Sequence, residues 1–303
     1  LEIIFNAEFF PKWYLKMSDD LYLTVEDHNR DVTGLTYIYP VVSRRAGGVS
    51  IGINLNINNA CNWRCVYCQV PNLTRGTPPP INLELLEKEL RDFLECIVHG
   101  DFMLRYVAEG DRKIQDVAFA GNGEPTSAKE FPAVLGIVET LLNEFNLLSP
   151  TLAHPIKVRL ITNGSLMDKP HVLESMHHLA KINGEVWFKA DAGTSEGVAK
   201  INDVNINIAS VIKRIKACAE ACPTFVQTCM VAIDGKPPTD LEVDAYIALL
   251  SEVKDVIQGV HLYGLARPSM QAEAPRLTRL LPEWLEGVAS KIRAIGLMAF
   301  VSP

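Results

Sequence analysis

Ile51-Gly52-Ile53-Asn54-Leu55-Asn56-Ile57-Asn58-Asn59-Ala60-Cys61-Asn62-Trp63-Arg64-Cys65-Val66-Tyr67-Cys68 begins by alternating and ends in a run of cysteines. Ile51, Ile53, Leu55 and Ile57 fall on one face of an extended chain, and Asn54, Asn56 and Asn58 on the other. That period of two predicts a β-strand leading directly into the C-x3-C-x2-C loop of Cys61, Cys65 and Cys68. Three thiolates on one short loop can grip three corners of a cubic iron–sulfur cluster and leave its fourth iron open. An ordinary electron-transfer cluster wants a fourth cysteine, and none lies near this loop. Structural zinc also wants a fourth Cys or His. The nearest histidines in sequence, His28 and His99, are far along the chain, though folding could bring them close. A disulfide belongs with secretion, of which the sequence gives no sign.

Outward from this stretch, strand and helix signals alternate. Pro78-Pro79-Pro80 breaks the chain, and residues 82–98 carry Leu83, Leu86, Leu90, Phe93, Leu94 and Ile97 at helical spacing. Further strands are predicted over 116–120, 156–161, 185–191, 224–233 and 260–265, with a short last one over 297–301. Helices are predicted over 128–145, 170–182, 206–221, 241–256 and 282–295. Strand–helix units in this order imply an α/β fold with a parallel sheet and right-handed crossovers. In a parallel βα barrel the chemistry sits at the C-terminal ends of the strands.

The second strand ends in Gly121-Asn122-Gly123-Glu124-Pro125-Thr126, where glycines let a ligand approach the backbone. The third ends in Thr162-Asn163-Gly164, which alone reads as a turn. On the fourth, Trp187, Lys189 and Asp191 share a face that should look into the interior. Lys189 and Asp191 read there as a structural ion pair or as ligand-binding groups. His261, Tyr263, Leu265 and Arg267 share a face of the sixth.

The cysteine loop and the Gly121 to Pro125 segment together resemble the signatures of the radical S-adenosylmethionine (SAM) enzymes. The resemblance covers roughly residues 49–301. It implies an open parallel (βα)6 partial TIM barrel, with a doubly wound sheet as the alternative. It implies a [4Fe–4S] cluster on Cys61, Cys65 and Cys68, with SAM chelated at the open iron. Reductive cleavage of SAM then yields a 5′-deoxyadenosyl radical that abstracts hydrogen from a substrate. In the family's pattern Tyr67 lies near the adenine, and Gly121, Asn122, Gly123 and Glu124 hold the SAM amino group, Asn122 being an extra or replaced position. Thr162 and Asn163 then lie close to the site, and Asp191 binds the ribose hydroxyls with Lys189 beside it. Gln227 with Thr228, and Arg267 within Gly264-Leu265-Ala266-Arg267-Pro268, resemble wyosine-synthase-like members and join the cofactor-binding set. The resemblance also implies an external one-electron reductant, flavodoxin- or ferredoxin-like. The substrate stays open among RNA-base modification, activation of a glycyl-radical enzyme and a small molecule. From another class, a non-catalytic iron–sulfur or zinc-binding module remains.

The chain has 303 residues, is 48% hydrophobic and carries a net charge of −7. We read residues 1–48 as an N-terminal extension and 49–303 as the core domain. Acidity without a Lys/Arg cluster speaks against a nucleic-acid footprint. Phe5, Phe9, Phe10, Trp13 and Tyr14 crowd the chain before Met17. Residues 1–16 read either as an upstream, non-native extension or as a genuine element packed on the core. No apolar run is long enough to span a membrane, and there is no secretory signal pattern. An odd cysteine count of seven suits a reducing cytoplasm. Cys96 reads as core; Cys218, Cys222 and Cys229 read as buried thiols, with an auxiliary cluster as the alternative.

Overall fold

The structure, a computed structural model, describes residues 11, 13–14, 22–24, 33–43, 47–149, 151–152 and 154–302. Its centre is an eight-stranded sheet whose order follows the chain. β1 (Ile38–Ser43) and β2 (Gly48–Ile53) form an antiparallel pair, with Ile38 opposite Ile53. β3 (Ile114–Phe119), β4 (Lys157–Thr162), β5 (Gly184–Lys189), β6 (Thr224–Cys229), β7 (Gly259–Tyr263) and β8 (Ala299–Ser302) then add one after another, all parallel to β2. No ladder joins β1 to β8 among the described residues, so the sheet is an open partial barrel. All six residues of β2 are buried, as expected of a strand covered on both faces.

The crossovers are helical: α1 (Leu83–Leu94), α2 (Phe131–Glu144), α3 (Pro170–Lys181), α4 (Ser195–Asn202), α5 (Ile208–Ala221), α6 (Asp240–Ser251) and α7 (Pro282–Ala294). α1 starts because Asn82 caps it, its side chain accepting from Leu85 N, and it buries Leu86, Leu90, Phe93 and Leu94. Glu89 of α1 is also buried, and its carboxylate accepts the backbone N–H groups of Thr36 and Tyr37, both at 2.8 Å. That pair of bonds pins the entry to β1. Buried residues of the helices and of the outer strand faces form one continuous apolar core.

The six strand–helix units lie where the periodicity puts them, with four differences. The N-terminal extension supplies β1, whose Pro40 disguises it and which lies at the sheet edge, where proline is tolerated. The first predicted strand stops at Ile53, because residues 54–59 leave the ladder to brace the strand-end loops. The predicted strand over 224–233 is two elements: β6 ends at Cys229, and Ala232–Ile233 pairs antiparallel with Leu277–Thr278. Finally α4 was not expected; the Thr194 side chain caps its start by accepting from Gly197 N.

Trp13 stacks on Phe93 at 5.9 Å, and Tyr14, 2% exposed, packs edge-on to Tyr106. Phe5, Phe9, Phe10 and Met17 lie outside the described residues. No helix among the described residues is long and apolar enough to cross a membrane.

Candidate active site

The C-terminal strand ends and the concave sheet face enclose a cavity of about 340 Å³. Cys61, Cys65, Cys68 and residues 121–124 line one end; Ser50, Asp116 and Arg159 line the other. The cysteine loop turns through a Cys68 N–H donated to Cys65 O at 2.9 Å, and Trp63 N donates to Cys61 Sγ at 3.4 Å. Two segments clamp it. The end of α4 takes Val66 N on Ile201 O at 2.8 Å and Arg64 N on Asn202 O at 3.2 Å. The segment after β7 takes the Arg64 guanidinium on both Glu273 oxygens at 2.8 and 2.9 Å, while Ser269 Oγ donates to Val66 O at 2.7 Å.

The two strand-end loops are held as one unit. Glu124 is 2% exposed and accepts four bonds: Thr126 N at 3.1 Å, Thr126 Oγ1 at 2.6 Å and Thr162 Oγ1 at 2.6 Å on Oε1, and Asn163 N at 2.6 Å on Oε2. Burial pushes its pKa up, against the pull of those donors. Asparagines tie this unit to the cysteine loop. Asn54 Oδ1 accepts from Asn122 N at 3.0 Å, Asn59 Oδ1 from Asn122 Nδ2 at 2.6 Å, and Asn62 Oδ1 from Asn163 Nδ2 at 2.8 Å. A Cβ on Gly123 would stand 2.2 Å from Ala60 O, so the loops touch backbone to backbone.

Gly164 follows with φ +68°, and a Cβ there would stand 1.9 Å from the Phe188 ring. Gly164→Ala therefore adds left-handed strain of about 1–2 kcal/mol to a steric clash. The chain's unfolding midpoint in urea should fall; an unchanged midpoint would show that the loop repacks freely.

Lys189 lines the cavity, as its strand face predicts. Asp191 does not. β5 ends at Lys189, so alternation no longer sets the direction of Asp191. Its side chain is fully buried beneath the cysteine loop and accepts from Tyr67 Oη at 2.5 Å, Asn202 Nδ2 at 2.8 Å and Cys229 N at 2.8 Å, with Lys189 Nζ 3.2 Å away. Lys189 also donates to Tyr263 Oη at 2.5 Å. Burial alone would pull the lysine down; Asp191 outweighs it and holds the ammonium charged. The two form a buried ion pair whose lysine also faces the cavity. Gln227 is 1% exposed and lines the cavity, and its Nε2 has no partner among the described residues. Arg267 lines it too. Cys229 lines it from the last position of β6, because the strand predicted over 224–233 ends there.

Deeper in lies a polar floor that the sequence reading passed over, although period two puts Glu185 on the face of Trp187 and Lys189 and sets Arg159 in alternation with buried Val158 and Leu160. Arg159 donates Nε to Glu185 at 2.7 Å and Nη1 to Asp116, which also accepts from Ser50, and its guanidinium lies 4.9 Å from the Trp187 ring. Burial raises the Asp116 pKa against the opposing pull of Arg159. Cys96, Cys218 and Cys222 are buried at 0%, 0% and 2% exposure.

The family model of the radical SAM superfamily matches residues 55–245, well over half of the chain. The chain belongs to the radical SAM superfamily. Solved structures of similar fold include a radical SAM methyltransferase from Sphaerobacter thermophilus, with TM-score 0.56 and 15% identity over 86% of this chain and 67% of that one. Another is anSMEcpe with bound AdoMet and Cp18Cys peptide, at 0.51 and 18% over 80% and 57%. A third is HydG, a maturase of the [FeFe]-hydrogenase, at 0.50 and 11% over 84% and 55%. At these identities the likeness is one of fold. Among curated proteins, a GTPase Obg of Brachyspira hyodysenteriae is 26% identical over 130 residues, 43% of this chain. The match spans only 16% of that relative, and these 303 residues contain no G-x4-G-K-[ST] phosphate loop.

Members of this superfamily use a [4Fe–4S] cluster and SAM, and the residues of this chain fit both. Three cysteines of one loop line one cavity end, beside residues 121–124. Among the described residues no three His, Cys, Asp or Glu side chains are arranged to hold a metal ion, whereas a cubane spreads its thiolates over separate corners. Burial pushes the Cys61 thiol up to about 12 and Cys65 to about 11; binding iron removes those protons. When bound, the pair supplies reductive cleavage of SAM. The chain's part is to place the ligands, exclude water and position what reacts.

Proposed function

We propose that this radical SAM enzyme binds SAM at the cysteine end of the cavity and abstracts hydrogen from a compact polar substrate seated toward the floor. The observation that carries this is the continuity of one cavity from the three cysteines to Ser50, Asp116 and Arg159. Backbone groups of Gly121, Asn122 and Gly123 meet the SAM amino group, while Glu124 and Asp191, both saturated by internal donors, hold the walls. Tyr67, fixed by Asp191, borders the adenine. The substrate offers a hydrogen-bond acceptor to Gln227 Nε2. The charges near the floor offset one another, Arg159 with Asp116 and Glu185, and Lys157 3.9 Å from Glu185, which favours a ligand without net charge. An RNA base is the second reading, favoured by the Tyr39 and Trp187 rings in the lining; it would have to enter flipped out of its strand. The electron comes from a flavodoxin- or ferredoxin-like donor in a reducing cytoplasm, a setting that suits seven free thiols.

The small-molecule filtrate of a cell extract should accelerate 5′-deoxyadenosine formation by the reconstituted, reduced enzyme. In Gln227→Leu, half-maximal stimulation should need about tenfold more filtrate, the worth of one buried hydrogen bond. Stimulation only by the retained RNA or protein would overturn the compact-substrate reading.

A further inference from the structure

We propose that Asn202 is a positioning residue for the cluster: its side-chain amide donates to the sulfur of Cys65 and sets how readily the cluster accepts an electron. Asn202 is the last residue of α4 and 1% exposed. Its Nδ2 lies 3.2 Å from Cys65 Sγ and 2.8 Å from Asp191 Oδ2. Both partners are acceptors, so the amide is oriented with its NH2 toward them. Its Oδ1 is left buried with no partner among the described residues. An unmatched buried carbonyl is unfavourable, and it marks the N–H side as the one the fold uses.

The contact is held from both directions. The Asn202 carbonyl accepts Arg64 N, and the Ile201 carbonyl accepts Val66 N, the residues on either side of Cys65. Asp203 then turns left-handed at φ 54° and takes Arg64 Nε at 2.9 Å and Arg75 Nη2 at 3.0 Å. Helix end and cysteine loop thus move together, and the N–H to sulfur distance is fixed by groups outside it. The same amide reaches Asp191, which holds Tyr67, Cys229 N and Lys189. A single side chain therefore sets the spacing between a ligand sulfur and the end of β5.

The consequence is electrostatic. A cluster thiolate gains negative charge when the cluster takes up an electron. A hydrogen bond to that sulfur stabilises the reduced state more than the oxidised one and raises the potential. Asn carries no titratable proton, so this contribution persists across pH. The inference rests on the three-cysteine loop being the cluster site. A failure of that reading would appear as iron-free wild-type protein, whereas a failure of this one would leave wild type intact.

The experiment is an EPR-monitored potentiometric titration of the anaerobically reconstituted full chain as wild type, Asn202→Leu and Asn202→Asp. Leu fills the space without an N–H; Asp keeps the shape, loses the donor and adds negative charge. The equilibrium between reduced and oxidised cluster should shift about tenfold toward oxidised in Asn202→Leu, ~59 mV for a one-electron couple, and further in Asn202→Asp. The midpoint is a property of the clusters that assemble, so partial loading does not hide it. Wild-type midpoints in both variants would overturn the proposal. So would complete loss of cluster in both, which would make Asn202 a folding residue.

Discussion

Cys65→Ala should leave a protein that assembles no intact cluster and forms no 5′-deoxyadenosine above background. The three-cysteine loop has no spare ligand: Cys61, Cys65 and Cys68 share one end of the cavity, and the next thiol in its lining, Cys229, stands on another strand. Cys65 sits between Asn202 Nδ2, which donates to its sulfur, and the turn that carries Cys68. Removing it takes one corner from a cluster that has only three protein ligands. The expected change is the whole activity, read as iron and sulfide per chain and as 5′-deoxyadenosine from SAM and reductant under anaerobic conditions. Cys218→Ala and Cys222→Ala supply the contrast. Both thiols are buried at the end of α5, before β6 begins, and Cys218 Sγ accepts from Thr224 Oγ1. Those variants should lose stability by up to a few kcal/mol, as large-to-small core changes do, and keep their cluster. Full activity in Cys65→Ala would remove the proposed mechanism; loss of iron in Cys218→Ala would relocate the site.

What the sequence disclosed follows from how far apart interacting residues lie along it. Cys61, Cys65 and Cys68 act within one loop, so their spacing alone carries the signal. The strand–helix alternation is equally local, and it placed six units. The braces are not local. Asn62 meets Asn163 across 101 residues, Asn59 meets Asn122 across 63, and Asn202 meets Cys65 across 137. An isolated asparagine reads as a turn residue, so nothing at those positions separates a brace from a bend. Asp191 shows a second limit. Period two holds only while the ladder lasts, and the ladder stops at Lys189. Alternation therefore aimed Lys189 correctly and Asp191 wrongly. β1 shows a third: Pro40 argues against a strand unless the strand is known to lie at an edge, and edges are a property of the assembled sheet.

Glu124→Gln should weaken SAM binding by about ten- to a hundredfold, the worth of one charge-assisted bond of ~1.5–3 kcal/mol, with iron content retained. A carboxylate offers about four acceptor positions, and Glu124 fills four with Thr126 N, Thr126 Oγ1, Thr162 Oγ1 and Asn163 N. In the glutamine, Oε1 can keep the three donors already on it. Nε2 then faces Asn163 N, donor against donor, and the Thr162-Asn163-Gly164 loop is pushed off the Gly121-to-Glu124 loop. Because Asn163 is tied to Asn62 in the cysteine loop, that displacement reaches the cluster end of the cavity. Glu124→Ala goes further: two backbone N–H groups lose their partner, on the order of 3 kcal/mol of stability, measurable by urea unfolding of the apo chain. Thr162→Val separates a brace from a direct ligand. Thr162 is buried, and its hydroxyl bonds Glu124 and Gly164 N. If Glu124 acts by holding the two loops together, Thr162→Val weakens SAM binding in the same direction by calorimetry. If Glu124 instead grips the SAM ammonium itself, Thr162→Val leaves the affinity at its wild-type value and the brace is refuted.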